Sequence, residues 1–167
     1  MKILSVFSKK YGTKEIFFDD EDYGIVVSYS WHITKKPKDN IFYARTNIPI
    51  ENKQTSLYLH RLILGLTDSK ILVDHIDHNG LNNQRDNLRV ASVQQNARNS
   101  VNSRKGTSNY KGVTFRGENL KKPWLVRIKI DGEYKYIGYF ADEVEAAKAY
   151  NVAASVYFGA FSCPNPL

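Results

Sequence analysis

The chain has 167 residues, of which 42% are hydrophobic, 13% aromatic and 25% charged; that is enough apolar mass to build cores, and it excludes disorder by composition. Apolar stretches such as Ile25 to Val27 and Leu62 to Leu66 fall far short of the roughly 20 residues of a membrane span, and no secretory signal is expected in the first eight residues. With Cys163 as the one cysteine, an internal disulfide or Cys-rich zinc site is excluded and a reducing cytoplasm is the expected setting; the net charge is +7.

In chain order, short strands are expected at 15–18 and 41–48, where Tyr, Phe and Ile alternate with polar residues. Between them, residues 19–27 read as a short helix with acids over its first turn, where they suit the helix dipole. Residues 57–66 (LYLHRLILGL) are apolar enough to be buried on one face, and Gly65 would stop a helix there. Two brief β-prone runs, 71–73 and 87–91, flank a polar loop, and Ser92 with Gln95 carries a capping-box signature that starts a helix. The polar stretch ARNSVNSRKGTSN at 97–109 cannot bury itself and reads as the boundary between two halves.

In the second half, 110–116, 124–130 and 133–140 read as an antiparallel meander with a tight turn at Asp131-Gly132. Asp142 and Glu145 form a second capping pair, Val144, Ala147, Tyr150, Ala154 and Phe158 recur at helical spacing, and Gly159 marks the stop. The fold class is therefore α+β. A β-rich N-terminal region spans 1–56, a strand–strand–helix module 57–99, a basic linker 100–108, and a three-stranded sheet packed on one helix 109–162.

The charge is unevenly distributed. Residues 97–141 hold ten Lys and Arg against three Asp and Glu, an excess equal to that of the whole chain, as expected of a nucleic-acid-binding surface. Side chains alternate along a strand, so one face of the second strand would display Arg127 and Lys129, with Lys111, Arg116, Tyr134 and Tyr136 beside them. Such a face suits a DNA major groove.

The chemistry is concentrated in residues 73–99 (VDHIDHNGLNNQRDNLRVASVQQNARN). Phosphodiester hydrolysis needs a base for water, a cation for the phosphoryl charge and help for the leaving oxygen. His75 is the side-chain type suited to base work near neutrality. Asp74 and Asn96 offer oxygens to a hard ion such as Mg²⁺, with Asp77 an alternative ligand. Zinc at His75 and His78 is not expected, for want of companion ligands. Asn82 and Asn83 are expected to shape the loop, His32 to be packed or on the surface, and Cys163 to take no catalytic part.

The string DH at Asp74 and His75, NN at Asn82 and Asn83, NLR at Asn87 to Arg89 and Asn96 beyond resembles the HNH endonucleases of ββα-metal fold. It is most similar to the homing-type branch whose final histidine is replaced by asparagine. The resemblance implies that His75 is the general base, that Asp74 and Asn96 ligate one divalent ion, Mg²⁺ with Mn²⁺ as a substitute, and that Asn87 buttresses the loop and orients His75. His60 and Arg61 also recur in that family and are assigned to structure or a phosphate contact. The second half, through YKGV at 110–113, WLVRI at 124–128, IGYF at 137–140 and EAAKAYNVAA followed by FG at 145–159, resembles the APETALA2 or ethylene-response-factor DNA-binding domain. Matching positions implicate Lys111, Gly112, Thr114, Arg116, Arg127, Lys129, Tyr134 and Tyr136 in DNA contact. Lys111 and Thr114 stand where the plant proteins usually carry arginine and Tyr136 where they carry tryptophan, so the plant target sequence does not transfer.

The expected function is a site-recognising, divalent-metal-dependent DNA endonuclease of homing type acting on double-stranded DNA, one site per chain making one nick. The alternative is a non-catalytic DNA-binding regulator. An RNA substrate is disfavoured because A-form major grooves are too deep and narrow for a sheet. Oligomeric state is left open.

Overall fold

A computed structural model of the chain describes residues 1–36, 40–50, 53–100 and 106–167. The chain divides into two compact units, Met1–Ser92 and Val93–Leu167. Most of the linker expected at 100–108 lies outside the described residues. Among the described residues no helix is long and apolar enough to cross a membrane.

The first unit opens with a hairpin of β1 (Lys2–Ser8) and β2 (Gly12–Phe18). Ile16 and Phe18 alternate inward and are fully buried, while Glu15 is exposed and Phe17 half-buried on the other side of the strand. The acidic stretch forms a 3-10 turn over Asp20–Asp22 that runs into α1 (Tyr23–Val27), so the single helix expected at 19–27 is split. A three-stranded antiparallel sheet follows, from β3 (His32–Lys35), β4 (Phe42–Ile50) and β5 (Lys53–Tyr58), with β4 in the middle. The segment expected as one apolar element at 57–66 is a strand end followed by the short helix α2 (Leu59–Ile63). Gly65, at φ 64°, ends it as expected.

The hairpin β6 (Leu72–His75) and β7 (Leu88–Ala91) completes the unit. It has no separate core: Ile16, Phe18, Val26, Trp31, Ile33 and Ala44 cluster with Leu59, Ile63, Leu81 and Leu88. The region expected to stand apart over 1–56 thus shares one apolar interior with the nuclease-like segment. The helix expected to begin at Ser92 is α3 (Val93–Arg98), which falls in the second unit.

In that unit β8 (Val113–Phe115), β9 (Trp124–Ile130) and β10 (Glu133–Phe140) form the expected meander, in the order β10-β9-β8. Asp131 and Gly132 both take positive φ, 49° and 94°, as a two-residue hairpin turn of the mirror-image type requires. Helix α4 (Glu143–Phe158) starts where the capping pair places it, with the Asp142 carboxylate accepting the Glu145 N–H at 2.9 Å. Its Ala146, Ala147, Tyr150, Ala153 and Ala154 pack on Val126 and Ile128. Leu125, expected on the exposed face of β9, is buried between its cross-strand neighbours Thr114 and Tyr139.

Gly112 explains how closely the sheet and α4 approach. It has φ 77°, and a Cβ there would overlap the Tyr150 ring and lie 2.8 Å from the Arg127 carbonyl oxygen. Gly112→Ala should therefore lower stability by about 2 kcal/mol or more, through left-handed strain and overpacking together, read as a lower urea midpoint.

Candidate active site

Antiparallel pairing sets Asp74 opposite Arg89 and His75 opposite Leu88. Cross-strand partners share a face, so the Arg89 guanidinium reaches the Asp74 carboxylate, with Nε at 2.8 Å and Nη2 at 2.6 Å from Oδ2. Both residues are largely buried, which makes this pair a far firmer orienting contact than a surface bridge.

His75, the next residue, faces a different environment. Its ring lies edge-on to His60 at 5.1 Å and to Tyr43 at 5.7 Å, and His60 stacks on Tyr58 at 5.4 Å. Burial lowers the His75 pKa, opposed by the Asn83 side chain and by the carboxylates of Asp77 and Asp74. Burial, then the charge that His75, Arg61 and Lys36 would present, pushes His60 down to about 3. Both imidazoles are thus neutral near pH 7, the form in which a histidine accepts a proton.

Tyr43 is wedged against the loop by close backbone approach: a Cβ on Gly80 would lie 2.7 Å from its ring. The loop between β6 and β7 is organised by Asp77 and Asn87. Asp77 accepts from the Asn79 N–H at 2.8 Å, Asn82 Nδ2 at 2.8 Å and Asn87 Nδ2 at 3.0 Å. Asn87 Oδ1 in turn accepts the Asp77 N–H at 3.1 Å, and its Nδ2 donates to the Asn82 carbonyl at 2.8 Å. Asp77, weighed as an alternative ligand, is engaged as the loop's acceptor. Asn83, fully buried, donates to the Leu81 carbonyl at 3.0 Å.

Arg61 donates to the carbonyls of Ile71 and Asp68 at 2.6 and 2.5 Å, tying α2 to the entry of β6. That geometry supports the structural side of its expected role. Asn96 lies exposed on α3, in the second unit. Asp74, His75 and Asn87 are therefore gathered on one hairpin, whereas Asn96 is not part of that unit.

On the sheet of the second unit, Arg127 and Lys129 are exposed. They lie over the Tyr134 ring, at 4.4 and 5.5 Å from its centroid. Tyr136 is 61% exposed and contacts Tyr139. Arg116 is exposed just beyond β8, and Thr114 is half-buried opposite Leu125. Two expected DNA contacts turn inward. The Lys111 ammonium donates to the carbonyls of Ser100 and Arg98, at 2.7 and 3.2 Å, and Gly112 is the close-packing residue beneath Tyr150. A lysine whose donors cap helix-end carbonyls has little left for a phosphate.

Among the described residues no group of three or more His, Cys, Asp or Glu is placed to hold a metal. Asp74 alone on the β6–β7 strands offers a carboxylate, the sparse hard-oxygen donation of an ion that keeps its waters and completes its shell with phosphate oxygens. The donor chemistry fits Mg²⁺ or Mn²⁺ held in that way. Sequence reasoning missed Tyr43, Tyr58 and the pairing of Asp74 with Arg89, all three of which become informative only through strand register.

A family model of HNH endonucleases matches residues 57–98. A protein of Acanthamoeba polyphaga mimivirus described as an uncharacterized HNH endonuclease, L560, is 36% identical over 156 residues, covering 90% of this chain and 74% of its own length.

The two neutral imidazoles make stability depend on acid. An unfolded histidine titrates near 6.5, so as pH falls from there toward 3 the unfolded chain binds protons that the folded one refuses, and stability drops. Urea midpoints should fall through this window, and His60→Gln should flatten the decline by up to about 1.4 kcal/mol per pH unit.

Proposed function

Because the chain belongs to the HNH endonuclease family, we propose that it is a divalent-metal-dependent DNA endonuclease of homing type, in which His75 activates the attacking water. The observation that carries this reading is the buried, neutral His75 imidazole held beside Asp74 on one hairpin. An imidazole nitrogen takes a proton from water, the water oxygen bonds to phosphorus, and the P–O3′ bond breaks to leave a 5′-phosphate and a 3′-hydroxyl. Rings on two sides restrict how His75 can turn, and the Asn87–Asp77 bonds hold the loop that follows it.

Asp74 would hold the divalent ion, which when bound neutralises charge gathering on the phosphoryl oxygens and the leaving group; Asn96→Ala, read by the Mg²⁺ dependence of cleavage, decides whether the expected second ligand takes part. Arg89 keeps the Asp74 carboxylate in one orientation.

The second unit serves as an APETALA2-type DNA-binding domain on double-stranded DNA. Support comes from its three-stranded sheet backed by one helix, with cations and tyrosines on the open face. Arg127, Lys129, Tyr134 and Tyr136 make the contacts, helped by Arg116 and Thr114. Lys111 and Gly112 support the fold of that face.

His75→Ala should lower the cleavage rate by about 10²–10⁴-fold in Mg²⁺ while leaving DNA affinity intact; equal loss of both would remove it from the chemistry. The acid limb of the wild-type pH–rate profile should lie below pH 6.5, as the lowered His75 pKa requires. Arg127→Ala with Lys129→Ala should weaken binding and reduce the slope of log affinity against log salt by about 2. An unchanged slope would take this sheet out of the interface.

A further inference from the structure

The β3–β4–β5 sheet of the first unit has two unlike faces. Register sets His32 opposite Arg45 and Arg45 opposite Tyr58, Thr34 opposite Tyr43, and Asn47 opposite Ser56. These residues share one face, since side chains alternate. The other face carries Ile33, Ala44 and Thr46, all buried in the core. The first face is neither buried nor apolar: His32, Asn47 and Ser56 are exposed, and Tyr43, Arg45 and Tyr58 are half-buried.

Two polar atoms here are buried without a hydrogen-bond partner among the described residues, Arg45 Nε and His60 Nδ1. Buried donors left unsatisfied are costly and call for an explanation. Tyr58 links them, paired with Arg45 across the strands and stacked on His60, and His60 meets His75 edge-on. The exposed Lys36 lies over the Tyr43 ring at 4.9 Å, and its charge is felt at both His60 and His75. From Trp31 to Leu66 the sequence has Lys35, Lys36, Lys38, Arg45, Lys53 and Arg61 against only Asp39 and Glu51.

We propose that this sheet face binds the phosphate backbone of the DNA strand flanking the bond to be cut, with Arg45 and Lys36 as its cationic contacts and His60 as a hydrogen-bonding one. The guanidinium fork matches phosphate oxygens, and a phosphate would satisfy the Arg45 donors that the protein leaves unpaired. The tyrosines give the sugar–phosphate chain a rigid floor leading toward His75. Such contacts position the duplex and carry no sequence information, so the sheet would set where along the backbone His75 acts. The proposal rests on the nuclease reading for its substrate, and through Lys36, Tyr43 and Arg45 it assigns a task to residues outside the matched family segment.

The test uses the full chain with a mixed-sequence duplex, in EDTA for binding and in Mg²⁺ for cutting. Arg45→Met and Lys36→Ala should each weaken binding and lower the salt slope by about 1. Lys9→Ala, in the turn between β1 and β2 whose Tyr11 packs on Phe42 from the opposite side of the sheet, should leave the slope unchanged. Lys36 is exposed, so its variant keeps the proposal testable even if Arg45→Met folds poorly. Unchanged slopes in both face variants, or an equal fall in Lys9→Ala, would overturn the proposal. Wild-type protein that binds but does not cut would sink the nuclease reading, while the slopes would still decide the role of the sheet face.

Discussion

The β6–β7 hairpin depends on a backbone clasp. Phe17 donates to the Leu81 carbonyl at 2.9 Å, and the Asn83 N–H donates to the Phe17 carbonyl at 2.7 Å, so the last strand of the N-terminal hairpin grips the loop between β6 and β7. Asp19 accepts the Arg85 N–H at 2.8 Å, and the buried Asp22 carboxylate takes the Arg85 guanidinium at 2.6 Å. An isolated two-stranded hairpin is marginal in water, and strands of four residues bury little by themselves. The N-terminal region thus supplies both the apolar floor and the anchors that hold His75 and Asn87 in register.

This arrangement also distributes charge. Four acids of the first unit stand together at Asp19–Asp22, where they are engaged by Arg85 and the Met1 amino group. The β3–β5 face is left cationic, next to a pair of imidazoles kept neutral by burial. A neutral base beside a cationic track suits a polyanionic substrate: the track attracts phosphate, and a proton acceptor that carried positive charge could not act as a base.

The second unit is held by a comparable device at its C-terminal end. Asn165 accepts the Lys111 N–H at 2.6 Å and donates to its carbonyl at 3.0 Å, while Asn151 on α4 exchanges bonds with the Asn165 backbone at 2.7 and 3.0 Å. One buried asparagine therefore binds the start of the sheet, the helix and the tail. With its backbone held there, Lys111 extends toward the end of α3 rather than onto the open face, where Arg127 and Lys129 of β9 remain exposed.

The sequence alone was enough for whatever depends on near neighbours: β9 and β10 with their Asp131-Gly132 turn, the Asp142 cap, the Gly65 and Gly159 stops, and the chemical content of Asp74, His75 and Asn87. Each rests on alternation, a cap or a φ preference acting within a few residues. The tertiary structure decided that residues 1–56 share a core with the hairpin, that Arg89 holds Asp74, that His60 and Tyr43 frame His75, and that Lys111 points inward. Those outcomes turn on partners beyond the reach of a local pattern, from Lys111 with Ser100, 11 residues apart, to Asp22 with Arg85, 63 apart. No local pattern encodes them, because strand register and burial are settled only when the whole apolar interior closes.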